Sequence, residues 1–420
     1  MGTPPPEKPV IIIGAGVVGL TLAHGLANAD IPFEIYERDD RINARQQGWA
    51  ITLHWALAFL RQLVRKDTLE AVDAAQVDPE VARNDTGNFL FLNLSTLETK
   101  FRIPPNERRR VGRMRFRQAL LSDPRIAGRV HWGKRLEDVE IVEGGGGVRV
   151  RFRDGSSSVD GSILIGAEGT NSQTRQFLAP QTYRNQPLDV KLVGVAVDMT
   201  PAQARPLREI DPLLFQGCHP ETNNFLWVSV LDTPATNGTE GTGREYYRMQ
   251  LVLSWPVKTP ADADIPSTPA GLAREMKRRA AGFHPTLREA VDMVPENDGD
   301  DDDDGPREIA LQDWPCLPWD NRNGAVTLIG DAAHAMTMFR GEAANHGIMD
   351  AYHLVRALKE VYAGSKRLKE AIDGYEEEMR ERTSVAVLWS REACIGAHDY
   401  NGLNEKSAVV RRRAIKMPTD

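Results

Sequence analysis

Long apolar runs are missing from the 420-residue chain. None reaches the roughly 20 residues that a bilayer-spanning helix needs, so no transmembrane segment is expected. The opening MGTPPPEKP lacks the apolar core of a secretory signal. Pro6 stands where an N-myristoylation signal needs Ser or Thr, and the closing RRRAIKMPTD carries no prenylation or peroxisomal signal. Cysteine is scarce: Cys218, Cys316 and Cys394 are odd in number and far apart. That excludes a disulfide framework and any paired metal or redox spacing, and it suits buried thiols in the cytoplasm. Basic excess is missing too, with 52 Lys and Arg against 59 Asp and Glu and a net charge of −7. Nucleic acid is therefore not the expected partner. No internal repeat is visible.

What is present is an ordinary globular composition, 41% hydrophobic, in a chain long enough for two domains or one large composite. Its organising stretch is VIIIGAGVVG. Val10–Ile13 is a short apolar run, read as a buried strand. Gly14, Gly16 and Gly19 follow in G-x-G-x-x-G spacing, and Val17 onward reads as a helix. Such a unit suits a dinucleotide pyrophosphate. Gly14 allows the tight turn, Gly16 lets phosphate approach bare backbone, and Gly19 lets the helix pack on the sheet. The helix N-terminus offers unpaired N–H groups and partial positive charge. Glu37 closes the next strand, Phe33–Tyr36, where an acid binds a ribose hydroxyl and repels a 2′-phosphate. Taken alone, the unit accommodates NAD as readily as FAD.

Residues 1–9 read as a Pro-rich tail, and 38–52 as a polar loop returning across the nucleotide. In that loop Arg41 and Arg45 either meet phosphate or face solvent. Trp55–Arg65 has helical periodicity, and Phe89–Phe101 reads as strand pairs. NERRRVGRMRFRQALLSD opens a helix with Arg113 near its start; its arginines are either an anion site or a solvated face. Val139–Val142 and Val148–Phe152 form a hairpin across Gly144–Gly147, and Ile163–Ile165 is a further strand. From about Thr182 to Pro306 the texture becomes β-rich, with strands at Val190–Met199, Phe225–Leu231 and Tyr246–Trp255 and short helices at Gly271–Ala281 and Pro285–Val294. The acidic run 296–305 lacks the alternation of a calcium loop and reads as solvated surface. Ala325–Ile329 is a strand ending at Gly330-Asp331, followed by helices from near Ala344 to Tyr362 and from Lys366 to about Ala397.

Three glycine-bearing segments thus stand far apart: GAGVVG at 14–19, GAEGTNSQTR at 166–175 and GDAAHAMTMFRGEAANHGIMDA at 330–351. In this order they resemble the para-hydroxybenzoate hydroxylase-like FAD-dependent monooxygenases (group A), and most closely in look the fungal members of secondary metabolism. The resemblance implies an α/β architecture: a Rossmann-like FAD-binding domain (1–78, 104–181 and 307–352), a β-rich substrate domain (79–103 and 182–306) and a C-terminal helical region (353–420). It implies FAD as cofactor, NAD(P)H as co-substrate without a domain of its own, and O2. The implied substrate is a small aromatic or polyketide-like molecule, and the implied assembly is a monomer or homodimer.

Carried over by position, Gly14, Gly16 and Gly19 match the pyrophosphate loop and Glu37 the adenosine ribose acid. Arg38, Arg45, Gly48 and Ala50 lie around the returning loop of the cofactor site. Arg113 matches the arginine of an R-x-x-[LF]-R-x-x-L helix through Phe116, Arg117 and Leu120. Gly330 and Asp331 match the ribityl-binding turn, and Gly341, Ala343 and Ala344 lie by the flavin ring. Three positions depart from the pattern: Glu168 for Asp, Ala343 for Gly, and Met338 for the Pro near the site of oxygen activation. The implied reaction is hydroxylation or epoxidation of an electron-rich molecule. Met338 motivates the alternative, an FAD-dependent oxidase or dehydrogenase performing desaturation or cyclisation without oxygen transfer.

No catalytic base is named. His54, His219, His334 and His346 fall near these segments, and His334 reads as structural. Tyr246, Tyr247 and Arg248 either face a ligand or pack the sheet, while Trp49 and Trp227 read as packing residues.

Overall fold

A computed structural model describes residues 8–44, 48–142, 147–297 and 305–413. Arg45, most of the Pro-rich start, the turn at 144–146, the acidic run at 298–304 and the last seven residues lie outside them.

The expected parallel sheet is present. Its five strands run in the order Val326–Leu328, Ile163–Gly166, Val10–Ile13, Phe33–Tyr36, Val130–His131, and every pairing is parallel. Strands covered on both faces must be apolar along their length, and Val10, Ile11, Ile12, Ile163, Leu164 and Ile165 are fully buried. Burial of each such side chain stabilises by about 1.5–3 kcal/mol. The helices Val17–Asn28 and Ala343–Tyr362 cross on the sheet, and Leu20, Leu22, Leu26, Leu354 and Leu358 join its core.

The β-rich stretch builds a seven-stranded sheet: Arg307–Glu308, Val190–Met199, Tyr247–Pro256, Phe225–Asp232, Leu214–Cys218, Phe89–Asn93, Thr99–Ile103. All neighbours are antiparallel except Leu214–Cys218 with Phe89–Asn93. Period-2 alternation divides its side chains. Met249, Leu251, Leu253 and Trp255 pack with the helices Pro269–Arg279 and Pro285–Asp292. Val252 and Phe225 face the other way, toward Phe339 and the end of the long C-terminal helix Leu368–Ala397.

One expectation is corrected. NERRRVG does not begin a helix: Arg109–Gly112 is a strand, antiparallel to Ala50–Leu53, and the helix starts at Arg113. Val111 is fully buried. The alternation RVG was hidden by the run of arginines. The returning loop likewise becomes this strand from Ala50 onward.

The C-terminal helix is fastened to the sheet edge through Glu376, which is 2% exposed. Its carboxyl accepts from Trp319 Nε1 (2.9 Å), Thr327 Oγ1 (2.8 Å) and Asn321 Nδ2 (3.2 Å). Burial outweighs these donors and pushes the group from 4.5 up to about 7. Between those values the folded chain holds the proton more than the unfolded one. Stability from this group therefore falls as pH rises from about 4.5 to about 7. Glu376→Gln removes the titration. Urea unfolding across that window should then show a shallower pH dependence than in the wild type.

Candidate active site

The first loop leaves its strand at Gly14, whose φ is +111° and whose N–H donates to Tyr36 O (2.8 Å). A Cβ there would lie 2.5 Å from Ala167 O, so the loop presses on the neighbouring loop as only glycine can. Gly19 packs the helix back onto Gly14, where an added Cβ would stand 2.2 Å from its carbonyl oxygen. Gly16, the helix N-cap, differs: nothing lies within 4 Å of an added Cβ. The helix has no side-chain cap and no acid in its first turn. Its terminal amides and positive dipole end are left for an anion.

Glu37 and Arg117 clamp this loop. Glu37 accepts from Ala15 N (2.8 Å) and Asp39 N (3.0 Å). Arg117 donates to Ala15 O (2.8 Å) and Ile42 O (3.1 Å) and stands 3.5 Å from the Glu37 carboxylate. Both are nearly buried. The pair is stabilising because each charge also meets backbone dipoles.

The second segment explains the first departure. Glu168 accepts from Ser172 Oγ (2.7 Å), Thr174 N (2.9 Å) and Thr174 Oγ1 (2.8 Å). Its longer side chain thus ties down the start of the helix Gln173–Leu178 from within the loop.

In the third segment Gly330 precedes the short helix Asp331–His334 and donates to Asp350 Oδ2 (2.9 Å). The same carboxylate bonds His334 Nε2 (2.6 Å) and Arg382 Nη2 (2.7 Å). Burial alone would raise the Asp350 carboxyl, but His334 and Arg382 outweigh it and hold it below the usual range. His334 is thus held in a buried cluster with Asp350 and Arg382. Asp331 stands at the end of the strand Val326–Leu328; burial raises its carboxyl, while His334 and Arg113 pull the other way. Gly341 takes φ +63°, and the 20-residue helix Ala343–Tyr362 begins without a side-chain cap. Asn345 holds that turn, accepting from His54 N (2.9 Å) and donating to Thr52 O (3.0 Å) and Gly341 O (3.1 Å).

These parts line one cavity of about 650 Å³, within the range of cofactor and ligand pockets. Glu37 and Arg38 stand at one part of its wall, with Gly14, Gly16, Arg113 and Asp331 along it. Gly341, Ala343, Ala344, Met338 and Ala50 also line it. Trp227 and Gln250 of the wide sheet, with Trp49 and Arg110, form the other wall.

Of the residues expected at the site, ten therefore share this wall: Gly14, Gly16, Glu37, Arg38, Ala50, Arg113, Asp331, Gly341, Ala343 and Ala344. Gly19 and Gly330 lie behind it as packing and cap positions. Gly48 is not among the residues lining this cavity; an added Cβ there would meet Leu231 and Ala196. Arg45 lies outside the described residues. Trp49 and Trp227 line the cavity as well as pack. Tyr247 packs under Arg208, and Arg248 pairs with Asp198 at 2.8 Å, so neither faces the cavity. Sequence reasoning missed Arg110, Gln250 and Asn345. Gln250 had a signal, since it is the one polar residue between Met249 and Val252 in an apolar strand.

Met338 opens a short 3₁₀ turn, Met338–Arg340, a position that also tolerates proline. Its side chain packs with the cluster of Phe225 and Phe339. The departure therefore leaves the backbone path intact.

A glycine loop with room for a pyrophosphate, an acid at the second strand end and another at the last, and a second sheet closing the cavity define an FAD-binding flavoprotein of the two-sheet hydroxylase fold. A family model described as "FAD binding domain" matches residues 7–251 and 308–390, and the chain belongs to that family. The FAD-dependent monooxygenase dbaB of Emericella nidulans is 43% identical over 354 residues, covering 84% of this chain and 86% of its own length. The FAD-dependent monooxygenase tazP of Aspergillus terreus is 32% identical over 385 residues, covering 84% and 90%. The solved 2,6-dihydroxypyridine-3-hydroxylase of Arthrobacter nicotinovorans shares the fold, with a TM-score of 0.73 at 16% identity, over 99% of this chain and 100% of that one. The chain is accordingly an FAD-dependent oxidoreductase. Its relatives favour oxygen transfer over the oxidase or dehydrogenase alternative.

Gly14→Ala tests the loop. The positive φ alone costs about 1–3 kcal/mol, and the contact with Ala167 O adds to it. The variant should melt lower and be purified with much less FAD, read from its visible absorbance.

Proposed function

We propose that this FAD-dependent monooxygenase hydroxylates or epoxidises an electron-rich small molecule, aromatic or polyketide-like, in secondary-metabolite biosynthesis. NAD(P)H is the reductant and O2 the co-substrate. The observation that supports this is the single cavity shared by the glycine loop, Asp331, Gly341 and the wide sheet's Trp227 and Gln250. The two sheets support a division into an FAD-binding part and a substrate part with the C-terminal helix added, except that Arg307–Glu308, expected in the FAD-binding part, pairs in the wide sheet.

Gly14 and Gly16 with the helix N-terminus hold the pyrophosphate, and Glu37 and Arg38 the adenosine end. Arg113 would meet the phosphate–ribityl region, and Asp331 would accept from the polyol hydroxyls. The uncapped helix start at Ala343 and Ala344 supplies amides that stabilise negative charge at the ring end. When bound, FAD supplies the two-electron chemistry that takes hydride from NAD(P)H and places one atom of O2 in the product. Trp49, Trp227 and Met338 exclude water from that end, which keeps reactive oxygen from being lost to solvent.

The helices of the described residues include none long and apolar enough to cross a membrane. We place the enzyme in the cytoplasm, as a monomer or homodimer, in keeping with its three free, buried cysteines.

Two measurements test the reading. With labelled O2, NAD(P)H and a turned-over substrate, one labelled oxygen atom is expected in the product; an unlabelled oxidised product would return the chain to the oxidase alternative. Asp331→Ala removes the polyol acceptor, and loss of one or two charge-assisted hydrogen bonds costs about 1.5–3 kcal/mol each. FAD affinity measured by fluorescence should drop at least about tenfold.

A further inference from the structure

Arg110 sits on the strand Arg109–Gly112, where its pairing with Ala50–Leu53 meets the wide sheet. Arg110 is 4% exposed yet forms part of the cavity wall. Nη1 donates to Thr52 Oγ1 (3.0 Å) and Nη2 to Ser229 Oγ (2.8 Å), and the group lies 5.5 Å from the Trp227 ring centre. Ser229 in turn donates to Gln250 Oε1 (3.1 Å), so strand alternation sets Trp227, Ser229 and Gln250 on one face around this arginine. Nε has no partner among the described residues.

Counter-charge is what Arg110 lacks. Of the other buried arginines, Arg117 has Glu37, Arg108 has Asp85 and Arg340 has Glu342. Arg175 and Arg413, which pair with no acid among the described residues, each donate to several backbone carbonyls; Arg110 donates only to two hydroxyls. Among the described residues no carboxylate pairs with Arg110. Burial, then the like charge of Arg108, pushes it down to about 9. A buried cation without a partner is costly to keep, and here it is kept at the wall of a ligand cavity. Two of its five N–H donors are used. The planar fork suits a carboxylate or an ionised phenol.

We infer that Arg110 binds substrate directly, holding an anionic oxygen (carboxylate or ionised phenol) of a ring packed against Trp227. This rests on the proposed monooxygenase reading and narrows its substrate class to molecules that enter the cavity as anions.

The test measures calorimetric binding to the FAD-loaded enzyme, with no turnover required, so its outcome is separate from that of the labelled-oxygen experiment. Two probe pairs distinguish the source of the charge. Salicylate against salicylamide reports a carboxylate, and 4-nitrophenol above against below its ionisation pH reports a phenolate. In at least one pair the anion is expected to bind about tenfold or more tightly than the neutral form. Arg110→Met should abolish that preference while retaining FAD, and Arg110→Lys, which keeps charge but loses the fork, should weaken it. The inference is overturned if neither anion binds or neither is preferred. It is equally overturned if the preference survives in Arg110→Met. Should that variant fail to fold, an undiminished preference in Arg110→Lys overturns it.

Discussion

Parallel pairing of three adjacent strands is the constraint on which the site depends. Ile13 lies in register with Gly166, and Gly166 with Leu328. All three strands therefore release their chains at the same edge of the sheet. That edge is where open α/β sheets bind ligands, because helix N-termini and loop amides converge there. The loop after Ile13 must then pass so close to Ala167 that a side chain at position 14 has no room. Segments more than 150 residues apart in the chain thereby become neighbours.

Packing brings the loops together, and paired charges fix their shape. Arg117 and Glu37 pin the glycine loop from below. Asp350, shared by Gly330, His334 and Arg382, pins the last loop. Glu168 ties the middle one to the helix that follows it. Glu37, Arg117 and Asp350 are buried, and each charge is answered by donors or an opposite charge, which is the condition under which burial is tolerated. A site stiffened in this way can present amides and carboxylates without reorganising around a ligand.

Against that rigid edge the wide sheet supplies a wall of different chemistry. Its alternation sends Leu251 and Leu253 into one core and sends Ser229 and Gln250 toward the cavity. The short pairing of Ala50–Leu53 with Arg109–Gly112 bridges the two layers and carries Arg110 to their junction. One wall thus presents glycine-loop amides and carboxylates, the other the faces of Trp49 and Trp227 with Arg110 and Gln250.

The amino-acid sequence by itself determined the cofactor half of this protein. Strand, glycine spacing, helix and terminal acid are local features, so VIIIGAGVVG, Glu37 and the Gly330-Asp331 turn were legible, as were the long strands at Val190–Met199 and Tyr247–Pro256. Tertiary structure alone decided the rest. A run of arginines reads as a solvated helix until pairing with Ala50–Leu53 makes it a strand. Trp227 reads as core until the far wall of the cavity exposes its other face. Whether Arg110 has a counter-ion depends on which distant side chains fold around it, and no spacing along the chain encodes that. The glycine loop rests on local backbone geometry, which sequence spells out, whereas the opposite wall rests on contacts between elements far apart in the chain.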